Sequence, residues 1–404
     1  MSQHQRLNRR QFLQLSALTL AGASATFAGV RNASLTNLTK ESQLLAQQRR
    51  LGQPLLVSGY RDRATQSRFG VMISNTLGQV VSDFSVPQRL HMADLFPAVE
   101  DANQPSAGLT PAVLANSREP GAALQKYDFY GRLLAEQLPP SNMHFEGHTV
   151  FSADGRKLYT TASDYVAQRG YVLELDSNTL AIERQFHSGG IGPHELVIHA
   201  DQLFIANTGV LTHPDSGRSA LNIDTMESNL VQLDISSGNI EHRWRSPIQA
   251  LSARHLDVLA DGRVLVGCQY QKRDQRPACL ALAQPGATEL TLLDNNHEHY
   301  YWDMKGYTAS VKAFAPGSAL AGQALVSNPR GHLLSHWQAN NSTLLNRQDM
   351  QYSKGIMVSG SDAWISAAAG ELWHWDGQRH QLMPVTRQIK ADFWWENHLY
   401  GRVI

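Results

Sequence analysis

The sequence contains few cysteines and no recognisable cysteine motif. Among its 404 residues only Cys268 and Cys279 occur. A disulfide-rich fold, a CxxC metal site and a cysteine-nucleophile motif are therefore excluded. In an oxidising compartment the two cysteines would form a disulfide between adjacent strands. Two unlinked thiols in the protein core are an equally good interpretation.

Charge of either sign is not in excess. Lysine plus arginine and aspartate plus glutamate each number 35. Beyond the first residues, no basic cluster is interleaved with aromatic residues. Nucleic acid and anionic membrane surfaces are therefore poor candidates as partners. The sequence also lacks GxSxG, HExxH and dinucleotide-binding motifs, which disfavours the enzyme classes that they define.

A long, strongly apolar run is missing as well. The run Leu15–Val30 is diluted by serine, threonine and glycine, whereas a bilayer span needs about 20 predominantly apolar residues. It follows Asn8–Leu13, which contains a pair of arginines. This arrangement is typical of a twin-arginine signal peptide. We therefore predict a signal over residues 1–30, a flexible segment over residues 31–50, and a periplasmic mature protein without a stable membrane anchor.

What the sequence does contain is a repeated pattern of short strands. His148–Thr161 alternates apolar and polar residues on both sides of an Asp-Gly turn, which predicts a β-hairpin. Strands over Gly170–Asp176 and Leu180–Phe186 complete a four-stranded unit, and similar units open at His194 and Arg254. Repeats of this kind are typical of propellers and solenoids.

The two ends of the chain fit the same pattern. Phe393–Leu399 reads as an inner strand, and Pro54–Ser58, Gly70–Ser74 and Gln79–Phe84 read as three outer strands. A sheet shared by both ends would close the ring and leave no free edge. We predict an all-β fold, a seven-bladed β-propeller over residues 51–404, with six or eight blades as alternatives.

Histidines occupy equivalent places in this repeat. Four of them open successive inner strands and would meet around the channel axis: His91, His148, His194 and His255. His144 and His213 lie in segments predicted at the same mouth. Because imidazole is a common ligand of iron, copper and zinc, we predict that these six residues form a transition-metal site. In the alternative, each histidine packs within its own blade and bonds a nearby serine or aspartate.

Other polar residues are predicted at the same mouth, beside the histidines or in the loops that follow the second strands. They form the predicted ligand-binding set: Arg254, Glu195, Asp164, Arg169, Asn207, Tyr270, Asn222 and Asp224. The carboxylates would support a metal site, whereas Arg254, Arg169 and protonated histidines would instead favour an anion site. The sequence leaves both interpretations open.

Several motifs resemble those of a functionally uncharacterised family of bacterial propeller proteins that are often exported by the twin-arginine route. The matching stretches are His144–Arg156, Gly190–Leu196, Thr212–Arg218, Leu221–Met226, Ser252–Leu256 and Gly267–Gln271. Members of that family are frequently encoded beside imelysin-like iron-regulated proteins and di-haem peroxidase-like oxidoreductases. The resemblance implies a periplasmic role in iron acquisition or handling, with periplasmic iron-handling proteins as partners.

Three kinds of function are compatible with these features. The leading hypothesis is a periplasmic protein that binds a metal or small ligand and is associated with iron handling. The second is a metal-dependent enzyme, a lactonase-like hydrolase or an oxidoreductase, at the same mouth. The third is a protein-interaction scaffold in which the histidines are structural.

Overall fold

The computed structural model describes residues 43–97, 111–293, 298–385, 389 and 392–404. The predicted signal peptide lies outside these residues. Of the predicted flexible segment, residues 43–50 are described, and they belong to a helix over residues 43–51 (α1). The chain divides into the units Met1–Gly52 and Gln53–Ile404. Among the described helices, none has the length and apolar character needed to cross a bilayer.

The unit Gln53–Ile404 is built almost entirely of antiparallel strands. Within the described residues the strands form seven sheets. Neighbouring inner strands contact each other in a closed cycle, so the sheets are the blades of one ring. The prediction of an all-β, seven-bladed propeller is confirmed.

Six blades each use four consecutive strands, the first of which is innermost. Blades 1 to 3 comprise β4 to β15: Leu90–Leu95, Val113–Ser117, Leu124–Tyr127 and Leu133–Gln137; Met143–Phe151, Lys157–Asp164, Arg169–Asp176 and Ile182–His187; Pro193–His199, Gln202–Asn207, Asn229–Asp234 and Ile240–Arg245. Blades 4 to 6 comprise β16 to β27: Leu251–Val258, Val264–Tyr270, Leu280–Ala283 and Thr291–Leu292; Ser310–Ala313, Gln323–Asn328, Leu333–Gln338 and Thr343–Asp349; Ile356–Ser359, Asp362–Ser366, Leu372–Asp376 and Gln381–Pro384. A short helix, Glu298–Met304 (α2), connects blades 4 and 5.

Blade 7 joins the two ends of the chain, as predicted. Its outer strands are N-terminal: Leu55–Asp62 (β1), Phe69–Asn75 (β2) and Val80–Val86 (β3). Its inner strand is C-terminal and interrupted, with Phe393–Trp395 (β28) and Tyr400–Arg402 (β29) both paired to β1. The ring is therefore closed by backbone hydrogen bonds between residues distant in sequence.

The core lies between the blades and follows from the two-residue period of the strands. In β13, Leu203 and Ile205 pack in a cluster with Tyr159 of blade 2. The alternate residues Phe204 and Ala206 pack in a cluster with residues of blade 4. β13 thus buries both of its faces, whereas outermost strands such as β7 and β11 are largely exposed.

Cys268 of β17 and Cys279, just before β18, are both buried, free thiols. The Cys268 N–H donates to the Cys279 carbonyl at 2.8 Å. Burial raises the pKa of Cys279 to about 12. Of the two interpretations of the cysteines, the structure has the unlinked thiols.

The inner strands of blades 1 to 4 share an irregularity that the inner strands of blades 5 and 6 lack. In each, the register to the second strand shifts at or beside the histidine: between Leu90 and Met92, Phe145 and Thr149, Pro193 and Leu196, and Ala253 and His255. A bulge of this kind bends the strand and re-aims a side chain. The regular inner strands β20 and β24 have no shift and contain no histidine.

Candidate metal centre

Five histidines form one buried cluster at the inner strands. Four come from the bulged strands, and the fifth, His398, comes from the interruption between β28 and β29. Their exposed fractions are 5% or less. The ring centroids of neighbouring members are 4.4 to 5.8 Å apart. We call His91, His148, His194, His255 and His398 the histidine cluster.

Three Nε2 atoms meet at the centre of the cluster. The Nε2 of His91 lies 2.9 Å from the Nε2 of His148 and 3.2 Å from that of His398. In neutral imidazole a ring nitrogen carries either one proton or one lone pair. A single proton or lone pair on Nε2 of His91 can therefore make one strong hydrogen bond, and the second contact can only share it.

Four imidazoles of the cluster are held neutral. Burial, and next the other histidines of the cluster, lower their pKa well below the usual histidine value: His91, His148, His194 and His398. Neutral imidazole is the form that binds metal ions.

Glu195 orients the remaining member of the cluster. Its Oε2 lies 2.9 Å from Nδ1 of His255, and its Oε1 lies 3.8 Å from Nζ of Lys312 on β20. Among the described residues, Nε2 of His255 is buried without a hydrogen-bond partner. With Nδ1 as donor, this Nε2 carries a lone pair, which is the arrangement of carboxylate–histidine–metal sites.

Glu195 is ionised despite its burial. Burial alone would raise its pKa, but the interactions with His148, Lys312 and His255 outweigh burial and lower the pKa of Glu195 to about 2. Glu195 therefore places a negative charge beside the cluster, next to the ammonium group of Lys312.

The dimensions of the cluster fit a transition-metal ion. Metal–nitrogen bonds of about 2.0–2.1 Å place adjacent ligand nitrogens roughly 3.0–3.4 Å apart. The two Nε2 contacts of His91 are close to that range. Two sets of ligand atoms lie within 4.8 Å of one another: one comprises His148, Glu195, His255 and His398, and the other comprises His91, His148 and His194. The residues present could thus hold an ion through imidazole nitrogens.

The fold contributes one further constraint at Gly147, in the bulge of β8. Its φ is +97°, and a Cβ there would lie 2.5 Å from the Cβ of His91. Glycine allows both this backbone conformation and the close approach of the two inner strands.

The structure separates two predicted metal ligands from the cluster. His144 is buried, but its Nε2 lies 3.3 Å from Thr212 Oγ1 and its ring stacks on Tyr165. His213 is partly exposed, and its Nδ1 accepts a hydrogen bond from the N–H of Asp215. The other four predicted histidines lie together.

Most of the predicted ligand-binding set supports the loops. Asp164 accepts from the backbone of the next turn, and Arg169 is exposed opposite it on β10. The amide groups of Asn207 and Asn222 bond backbone carbonyls.

Tyr270 donates to Asp274, and Asp224 is an exposed partner of Lys272. Glu195 adjoins the cluster. Arg254 lies in the wall of a cavity beside it.

That cavity has a volume of about 330 Å³ and is lined in part by His91 and His194. The remaining lining is mostly polar. The cluster therefore lies next to a space that a small molecule can occupy.

His398 was missed by the sequence analysis although it lies within the predicted inner strand Phe393–Leu399. Its backbone carbonyl accepts from Ser58 Oγ at 2.6 Å. Glu396, two residues earlier, forms a bidentate pair with Arg89 at 2.7 and 2.9 Å. Comparison with the other inner strands could have indicated His398. That comparison requires knowing where this strand is interrupted, which the sequence does not show.

Fold and site together define a β-propeller with a buried histidine cluster at its inner strands. The chain belongs to the family described as "Protein of unknown function (DUF1513)", whose model matches residues 85–402. No curated protein matches the chain in sequence.

Among solved structures, a chain in the "Crystal Structure of Mitotic Checkpoint Complex" is similar to this protein. The match covers 74% of this chain and 81% of that one, with 10% identity and a TM-score of 0.49. We draw no functional conclusion from it.

Proposed function

We propose that this protein binds a transition-metal ion, iron, copper or zinc, through the histidine cluster. The observation that carries the proposal is the position of His91, whose Nε2 lies 2.9 Å from the Nε2 of His148 and 3.2 Å from that of His398. A metal cation could accept a lone pair from each of the three Nε2 atoms, whereas hydrogen bonding serves only one of the two contacts well. The free Nε2 of His255 and its carboxylate partner support the same conclusion.

The ion would be held in a site with no acidic ligand required. Neutral imidazoles suit iron, copper and zinc, and Glu195 would supply one compensating charge close by. The neighbouring Lys312 limits the total positive charge that the site tolerates, so an ion of low charge is favoured over a trivalent one.

The test is the metal content of the full chain, expressed with its own N-terminus and purified without added metal. We expect near-stoichiometric metal by elemental mass spectrometry. The variant His148→Ala/His194→Ala/His255→Ala should lose it while circular dichroism shows an intact fold.

His199→Ala is the matched control, because His199 is exposed at the far end of the same strand as His194. It should retain the metal. A folded, metal-free wild-type protein that takes up no iron, copper or zinc would contradict the proposal.

We also propose that the protein acts in the periplasm, exported by the twin-arginine route, and serves iron handling with periplasmic partners. The arginine pair before Leu15–Val30 and the family resemblance support this. Arg9→Lys/Arg10→Lys should retain the protein in the cytoplasm on fractionation. Periplasmic recovery of this variant at the wild-type level would contradict the proposed route.

The cavity beside the cluster favours a metal-dependent enzyme as the second candidate. His91 and His194 both face it, so a substrate could reach an ion in the cluster, as catalytic metal sites require. Hydrolysis of a lactone panel, or oxidation of a reporter dye, should then appear with metal and vanish in His194→Ala. Metal binding without turnover would leave the binding function alone.

A further inference from the structure

Arginine predominates among the charged residues of the cavity beside the histidine cluster. Four arginines line it, against two glutamates: Arg118, Arg218, Arg254 and Arg330, with Glu119 and Glu146. The wall thus has an excess of positive charge, which is unusual for a partly enclosed space because like charges raise each other's energy there.

Within the described residues, two of the four arginines have a carboxylate partner. Arg218 pairs with Glu119 at 2.5 Å, and Arg118 pairs with Glu396 at 3.3 Å. Within the described part of the chain, neither Arg254 nor Arg330 forms an ion pair. Arg330 instead lies over the ring of Tyr307, 4.8 Å from its centroid.

Several hydrogen-bond donors of the lining residues also lack an acceptor among the described residues. Nε of Arg118, Nε of Arg254 and Nε2 of Gln271 are buried without a hydrogen-bond partner among the described residues. In the same wall, Oε2 of Glu119 and Nδ1 of His91 lie 3.4 Å apart, and neither forms a hydrogen bond with the described residues. Buried donors normally find an acceptor, and the three residues that carry these donors all line the cavity.

We propose that this cavity binds a small organic molecule bearing carboxylate groups, anchored by Arg254 and Gln271. A planar carboxylate suits the fork of an arginine and accepts several hydrogen bonds at once. The volume of about 330 Å³ is at the low end of the roughly 300–1,000 Å³ typical of cavities for organic ligands. A bare inorganic anion would leave most of it unfilled.

The same ligand would reach the histidine cluster through His91 and His194. This part of the inference rests on the proposed metal site, whereas the contacts with Arg254 and Gln271 do not. A carboxylate oxygen at that end of the cavity would add an anionic ligand to the ion. By linkage, each of the two would then bind more tightly in the presence of the other.

Isothermal titration calorimetry of the full chain with citrate, in metal-free and metal-loaded forms, tests the inference. We expect citrate to bind the metal-free protein, and inorganic phosphate to bind at least tenfold more weakly. Arg254→Gln should weaken citrate binding at least tenfold. Gln271→Met, which removes a donor but keeps the volume, should weaken it severalfold and guards against misfolding of the arginine variant.

Arg243→Gln is the control, because Arg243 is exposed on the outer strand β15. It should bind citrate like the wild type. Three results would overturn the inference. They are no citrate binding in either form, unchanged citrate binding in a folded Arg254→Gln protein, and citrate binding no tighter than phosphate binding. Citrate binding by a protein that takes up no metal would instead refute the proposed metal function and leave the carboxylate site in place.

Discussion

At the scale of single residues, the candidate site depends on small departures from regular structure. Gly147 has a positive φ and lies against His91, and Glu195 fixes the orientation of His255. Neither residue is a member of the histidine cluster. Both determine where its nitrogen atoms lie, so substitutions at these positions test the cluster without removing an imidazole.

We expect Gly147→Ala to lower the free energy of unfolding and to reduce metal uptake. Alanine at φ +97° costs about 1–3 kcal/mol, and its Cβ would displace His91. Gly262→Ala is the control, since Gly262 has φ +83° but open space around a Cβ. In urea titrations both variants should be less stable than the wild type, and Gly147→Ala should be less stable than Gly262→Ala. Equal losses with unchanged metal content in both would show that the contact with His91 is unimportant.

We expect Glu195→Gln to weaken metal binding about 10–100-fold, the usual effect of losing a carboxylate that orients a histidine ligand. The substitution keeps a hydrogen-bond acceptor for His255 but removes the charge beside Lys312. A competition titration against a chelator measures the affinity. Glu241→Gln, on an exposed part of β15, should bind like the wild type. An unchanged affinity in the Glu195 variant would exclude this role.

At the scale of strands, the sequence predicted the hairpins, the repeat and the shared blade, because these follow from alternation and turn residues. It did not predict the bulges. Where both faces of a strand are apolar, an extra residue does not visibly disturb the alternation of apolar and polar residues. His91, His148, His194 and His255 were grouped from their equivalent positions in the repeat, which does not depend on the bulges. His144 was misplaced because Gly147 and its bulge lie between it and the cluster.

The loop residues of the predicted set show a second limit. Asn207 and Asn222 were selected because polar loops surround a channel mouth, yet Asn207 bonds the backbone of the connection between blades 2 and 3, and Asn222 bonds the backbone of its own loop. Composition alone does not distinguish a polar group that supports a loop from one that faces a ligand. Arg254 was selected on the same grounds and lies in the cavity wall, where its Nε has no partner among the described residues.

A lysine between blades 6 and 7 gives the packing of these elements a pH dependence. Burial chiefly lowers the pKa of Lys354 to about 8, from an ordinary value of 10.5. Its ammonium group donates to the carbonyl of Trp395 on β28. Between these two pH values the unfolded chain binds more protons than the folded one, so the contribution of Lys354 to stability rises with pH.

We therefore expect the stability difference between wild type and Lys354→Met to change in favour of the wild type from pH 8 to pH 10. Denaturant titrations of both proteins at several pH values measure it, because other titrating groups cancel in the difference. A difference that stays constant over this range would contradict the lowered pKa.

At the scale of the whole molecule, the ring is closed by the pairing of β28 and β29 with β1. Truncation before Phe393 removes the inner strand of blade 7 and one histidine of the cluster. We expect this chain to lose cooperative thermal unfolding and to become sensitive to protease, because both β1 and the neighbouring inner strands are left uncovered. Removal of residues 403–404 alone, beyond β29, should leave the melting transition intact. A cooperative transition in the longer truncation would show that the ring is stable when open.

The place of His398 in the chain also sets an order of events. During synthesis the other four histidines emerge earlier. His398 joins them only when β28 and β29 pair with β1. The complete set of five histidines therefore exists only in a chain whose ring has closed. Under the proposed export of the folded chain, an ion bound by all five histidines would leave the cytoplasm already enclosed.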